Sequence, residues 1–189
     1  MTVAEIFSKL SAHMLTGIMF HEDLANYYDF LGLAGYKRCH EYHSLAEYAE
    51  YRSVCRYYIN HYNRLIEYTE STQKPVIPES WYNYTRQDVD INTKKYSVRN
   101  GLSMWVDWER KTKTTYEEMY KELLDMGEVA GACKIKCLIK GVDRELKHAE
   151  RYLLNKIAVD YDMTYIIDEQ RCLHDKYKKK TERIGIKLC

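Results

Sequence analysis

The 189-residue chain predicts an all-α fold: a four-helix bundle of two antiparallel hairpins, a long central connection and a C-terminal fifth helix. Three observations carry this. Two prolines and eight glycines are too few for a turn-rich β architecture. Apolar residues step by three and four through four long segments, the period of an amphipathic helix. Short breaks join those segments in pairs, and a short connection makes neighbouring helices antiparallel.

The first helix is marked by Val3, Phe7, Leu10, Met14, Gly17, His21, Leu24, Tyr28 and Leu31. "GLAG" (Gly32–Gly35) interrupts it, and a second helix is expected from about Tyr36 to Tyr68, with Tyr42, Leu45, Ala49, Arg52, Ile59, Tyr62 and Ile66 on its stripe. Periodicity then lapses through "STQKPVIPESWYNYTRQDVDINTKK", which holds both prolines and reads as a crossover connection. Val98, Leu102, Trp105, Glu109, Thr112, Tyr116, Met119, Leu123 and Met126 mark the third helix, with Gly127 as its stop. Ile135, Ile139, Val142, Leu146, Ala149, Leu153 and Ile157 mark the fourth. The expected organisation is one helical domain: hairpin 3–68, connection 69–96, hairpin 97–158, and a helix with a basic tail over 160–189.

Composition narrows the functional classes. A net charge of +1 argues neither for nor against nucleic acid. The N-terminus lacks a basic region followed by a continuous apolar block, and no run reaches the roughly 18 apolar residues of a membrane span. The six cysteines form no compact framework and read as reduced thiols of a cytoplasmic protein, with Cys133 and Cys137 taken as core residues. No Gly-rich phosphate loop, Gly-x-Ser-x-Gly elbow or zinc ribbon is present. Nineteen tyrosines against three phenylalanines suit half-buried helix faces and contact surfaces, homodimeric ones included.

One constellation carries chemistry. Glu145-x-x-His148 places a carboxylate and an imidazole on one face of the fourth helix. Glu109 occupies a core position of the third, where a charge needs a partner. With the turn near Glu128, Glu109 lies 19 residues before it and His148 20 residues after it, so the two are level. The first hairpin offers Glu22 beside His21, and "RCHEYHSLAEYAE" offers His40, His43 and Glu47. One reading of these residues is a polar layer in which Glu109 and His148 pair and tyrosine hydroxyls satisfy the rest.

The motif "ELKHAE" (Glu145–Glu150), with Glu109 placed 36 residues before Glu145, resembles the ferritin-like superfamily. That resemblance implies iron or manganese held between the helices of a bundle, with oxidase or storage activity, and a ligand set of Glu22, His43, Glu47, Glu109, Glu145 and His148. The spacings in the first hairpin depart from the family pattern, which expects a second Glu-x-x-His there.

A different resemblance is carried by "MFHEDLANYYDFLGLAGYKRCHEYHSLAEY", which looks like small helical accessory proteins of phages and mobile elements of Firmicutes. Some of these block host defences, CRISPR effectors included. It implies a non-catalytic inhibitor that occludes or traps a host protein or ribonucleoprotein effector in the host cytoplasm, with no cofactor. Trp81, Tyr82 and Tyr84 in the connection are the aromatic anchors such a surface would use. Lys176, Lys178, Lys179, Lys180 and Arg183 in the tail could meet an acidic surface or nucleic-acid phosphates. The sequence reading favours this binding module, with the di-metal protein as its alternative.

Overall fold

A computed structural model describes residues 1–67, 80, 83 and 85–183. All regular structure among them is helical: α1 Val3–Phe30, α2 Ala34–Tyr62, a 3₁₀ turn Arg86–Asp88, α3 Ile91–Asp125, α4 Val129–Ala158 and α5 Met163–Arg183. α1 packs on α2 and α3 on α4 as the two hairpins, α1 also meets α3, and α5 lies along α2.

The helix ends follow from local chemistry. Thr2 and Glu5 close a capping box on α1. Both hairpin turns end in the same Schellman arrangement. Gly32 (φ +74°) donates to the Asp29 carbonyl and Leu33 to that of Tyr28; Gly127 (φ +76°) donates to Leu124 and Glu128 to Leu123. Glycine is needed at both corners because an L side chain is strained at that φ. α2 ends earlier than its periodicity predicts, at a left-handed Asn63. α3 starts earlier, at Ile91, because the Asp90 carboxylate accepts from the Thr93 N–H and caps it.

The apolar stripes predicted for α1 and α3 are buried from Phe7 to Leu31 and from Val98 to Leu123, whereas Met126 is exposed. α2 differs, because its core face carries Tyr36, Cys39, His40, His43, Tyr51, Val54 and Tyr58, and Ala49, Arg52 and Ile59 face solvent. At the end of α4 the buried face passes to Tyr152 and Lys156, leaving Ile157 exposed. Cys133 and Cys137 are exposed rather than core residues, since Ala132, Ile135 and Leu138 take the inward positions around them.

The core is two apolar clusters. One gathers Leu24, Tyr28, Tyr36, Leu102, Trp105, Ala149, Ile166 and Tyr177 among others. The second is built from residues such as Phe7, Leu10, Val54, Tyr58, Tyr116, Leu123 and Ile135. What lies between them is polar.

Candidate functional site

Four histidines and three glutamates meet midway along the bundle. On α1 the three–four spacing that buries Met14, Leu24 and Tyr28 also buries Gly17 and His21. On α2 the same spacing runs through Tyr36, His40, His43, Glu47, Tyr51, Val54 and Tyr58, so polar residues take core positions for two turns. α3 contributes Trp105 and Glu109, and α4 contributes Glu145 and His148. On each helix the histidines and glutamates of the layer fall between stretches that belong to the two apolar clusters, and Trp105 closes the layer from the first cluster.

Contacts within the layer form two groups. His21 Nδ1 is 3.0 Å from His40 Nδ1. His21 Nε2 lies 3.5 Å from Glu47 Oε1 and 3.7 Å from Glu109 Oε1. The Trp105 indole N–H donates to Glu109 Oε1 at 3.0 Å, and its ring stands edge-on to His40 and His43. Gly17 makes room for Glu47: a Cβ there would overlap the glutamate carboxylate, lying 2.8 Å from its Cδ. In the second group His43 Nδ1 is 3.7 Å from Glu145 Oε1, while His148 Nε2 and the Tyr177 hydroxyl of α5 are hydrogen-bonded at 2.7 Å.

These neighbours set the protonation states. Burial pushes His21 down, but the carboxylates of Glu109 and Glu47 outweigh it and hold the imidazole up at about 9. Burial and the charges of His21 and His43 drive His40 well below the ordinary histidine value. His21 is therefore the donor across the Nδ1–Nδ1 contact and His40 the neutral acceptor. Against its burial, Cys39 and Glu145 raise His43 well above the ordinary value, and His43 in turn lowers Glu145 in spite of desolvation. Desolvation leaves Glu47 raised even with His21 beside it. Burial and nearby Lys176 push His148 down to about 4.

Among the described residues, five atoms in the layer have no hydrogen-bond partner: His21 Nε2, His40 Nε2, both ring nitrogens of His43, and Glu47 Oε2. The ion-pair distances above are too long to satisfy them. Among the described residues, no three His, Cys, Asp or Glu side chains are already gathered to hold one metal ion.

Of the residues expected to act together, the structure brings together His43, Glu47, Glu109 and Glu145, with His148 at the edge. Glu109 and His148 do not pair: Trp105 and His21 engage the first, and Tyr177 the second. α1 supplies His21 rather than Glu22. Glu22 is half-buried and makes no hydrogen bond or ion pair with the layer, because it sits about 100° around the helix from the core stripe. His40 and Tyr177 complete the surroundings. His40 was legible as a core position once the α2 stripe is drawn through histidine, whereas nothing in sequence spacing brings Tyr177 to His148.

The expected partner surface is divided. Trp81, Tyr82 and Tyr84 lie outside the described residues. On α5, Lys178, Lys179 and Arg183 are exposed. Lys176, also exposed, and the half-buried Lys180 rest on aromatic rings, Lys180 Nζ lying 4.9 Å from the centroids of both Tyr42 and Tyr177. No helix among the described residues is long and apolar enough to cross a membrane. Compared with protein-family models and with curated proteins, the chain matches none of them significantly.

Proposed function

We propose that the buried layer is a cation-binding centre for a divalent first-row ion such as manganese or iron. His21, Glu47 and Glu109 would hold it on one side, and His43 and Glu145 on the other. The observation that carries this reading is the set of unpartnered ring nitrogens and the unpartnered Glu47 oxygen in a buried layer. Such atoms are costly to leave unpaired, and a purely structural polar layer would pair them with one another. The donor types, imidazole and carboxylate, suit manganese, iron and zinc. The 3.5 and 3.7 Å separations around His21 Nε2 approach the roughly 3.4 Å between two ligands each about 2.1 Å from a tetrahedral ion. Loading requires the side chains to draw together, since no three of them yet form a ligand set.

Charge supports the same reading. In the cation-free protein, protons on His21 and His43 offset the carboxylates of Glu47, Glu109 and Glu145. A divalent ion replaces those two positive charges, so uptake releases protons and strengthens as pH rises. A bound iron or manganese would supply Lewis-acid and one-electron chemistry; the chain's own part is to bind it and give up protons. The test is manganese uptake by metal-free protein, followed by calorimetry and elemental mass spectrometry. Manganese is the probe because the exposed thiols Cys133 and Cys137 compete poorly for it. At least one equivalent should bind, with affinity falling about tenfold or more in Glu145→Ala and Glu109→Gln. Folded protein that takes up no manganese, iron or zinc would end this reading.

A second reading rests on the exterior. Leu154, Ile157, Tyr165 and Ile167, at the α4–α5 end, are 62, 53, 44 and 55% exposed. Exposed apolar side chains of this size mark interaction surfaces when they lie together. They support a protein-binding module of the anti-defence kind, occluding a host protein or ribonucleoprotein effector, with Lys178, Lys179 and Arg183 offered to acidic groups. The variant Ile157→Asp/Lys178→Glu/Lys179→Glu should lose a partner retained from host lysate by the native chain, while its manganese uptake is unchanged. An identical set of retained proteins for both chains refutes this second reading.

A further inference from the structure

A cavity of about 390 Å³ opens between α2, α4 and α5, lined by Tyr42, His43, Ala46, Glu50, Gly141, Arg144, Glu145, His148 and Lys180. Its volume falls within the range of small-molecule sites. Its floor is His43, which is 4% exposed and has no hydrogen bond at either ring nitrogen among the described residues. A buried, unpartnered polar side chain at the bottom of an open cavity is the feature a ligand completes.

The charges around the mouth indicate what that ligand carries. Arg144 and Lys180 come from different helices, and neither forms an ion pair among the described residues. Lys180 is held against the rings of Tyr42 and Tyr177, which fixes its ammonium group at the wall. The floor carboxylate, Glu145, is engaged by His43. At the rim Glu50 is the one remaining carboxylate among the described residues, set against two cations. The rest of the wall is Ala46, Gly141, Tyr42 and His148, whose Nε2 is taken by the Tyr177 hydroxyl.

From this geometry we infer that the cleft is a binding site for a small molecule bearing one oxyanion, a carboxylate or a phosphate. Arg144 and Lys180 grip the anionic group, and a ring nitrogen of His43 supplies a further hydrogen bond at the floor. The guanidinium fork suits both kinds of oxyanion, since it offers two parallel N–H donors. The cleft shares His43 and Glu145 with the cation-binding reading but requires no ion there, so in the metal-free chain it is tested on its own.

The test uses the metal-free full-length chain. Inorganic phosphate and acetate are titrated in separate arms, each against sodium chloride at matched ionic strength, and followed by NMR of the arginine Nε–H and histidine ring signals. Saturable shifts of Arg144 and His43 are expected in at least one arm and absent with chloride; the arm that saturates identifies the oxyanion. Arg144→Gln and Lys180→Gln should each weaken binding about tenfold or more. Ala46→Leu, which fills the cavity and removes no charge, should abolish it. Thermal melts establish that each of the three variants is folded. The inference is overturned if neither anion gives saturable shifts, or if a folded Arg144→Gln/Lys180→Gln chain binds as the native one does.

Discussion

Buried imidazoles in this protein are held in opposite protonation states within one bundle, and pH reads the difference. His21 is kept protonated, its folded value raised to about 9 against burial by Glu109 and Glu47. Its contribution to stability is complete below the unfolded histidine value of about 6.5 and is lost as pH rises through 9. His13 behaves in the opposite way. Stacked on Trp108 at 4.9 Å and hydrogen-bonded to Thr112, it is lowered to about 4 by burial and by Lys111. Its contribution is present above about 6.5 and is lost as pH falls toward 4. From these two groups, stability should fall as pH drops toward 4 and again as it rises through 9. Urea unfolding at a series of pH values checks this: His21→Asn should flatten the alkaline limb and His13→Asn the acid limb. An alkaline limb unchanged in His21→Asn would show that His21 is not the group responsible.

At the scale of the helices, legibility depended on what filled the core positions. α1 and α3 carry mostly apolar residues at three–four spacing, so their buried faces were read directly, including Glu109 and His21 as polar exceptions. α2 has the same regular spacing, but Tyr36, His40, His43, Glu47 and Tyr51 hold it for much of its length. The stripe through Tyr42, Leu45, Ala49, Arg52 and Ile59 is therefore out of phase with the buried face by about a residue. Short-range chemistry explains the ends that were missed: an aspartate cap started α3 six residues before the expected 97, and a left-handed asparagine closed α2. The second hairpin's half of the candidate site was legible, because a turn at Gly127 fixes the level of Glu109 against α4. The first hairpin's half was not, because Glu22 and His21 are adjacent in sequence and only helix phase decides between them. Contacts from α5 had no periodic signature that could place Tyr177 on His148.

In the whole molecule, α5 is what encloses the second group of the layer, and its attachment to α2 can be tested. The first turn of α2 has no side-chain cap of its own. Its N–H groups at Gly35 and Tyr36 donate instead to Gln170 Oε1 of α5, at 2.9 and 3.1 Å, so an element from the other end of the chain satisfies the helix start. The approach needs glycine: a Cβ on Gly35 would sit 2.5 Å from the Gln170 carbonyl oxygen and 2.9 Å from its Cα, atoms of backbone that cannot swing aside. Below this contact Tyr36 bonds Glu169, which also pairs with the buried Lys156 of α4, and Tyr177 reaches His148. Gly35→Ala should thus displace α5 as a unit and cost about 1–3 kcal/mol in urea unfolding, the usual range for overpacking. Gly141→Ala is the control, since its Cβ would meet only Glu50 Oε1 at 3.4 Å. Because α5 carries the hydroxyl that holds His148, the same Gly35→Ala chain should let diethyl pyrocarbonate modify His148 faster, with Gly141→Ala modified at the native rate. Equal stability and equal modification rates in the two variants would mean that α5 is not clamped to the bundle at Gly35, and that enclosure of His148 has another source.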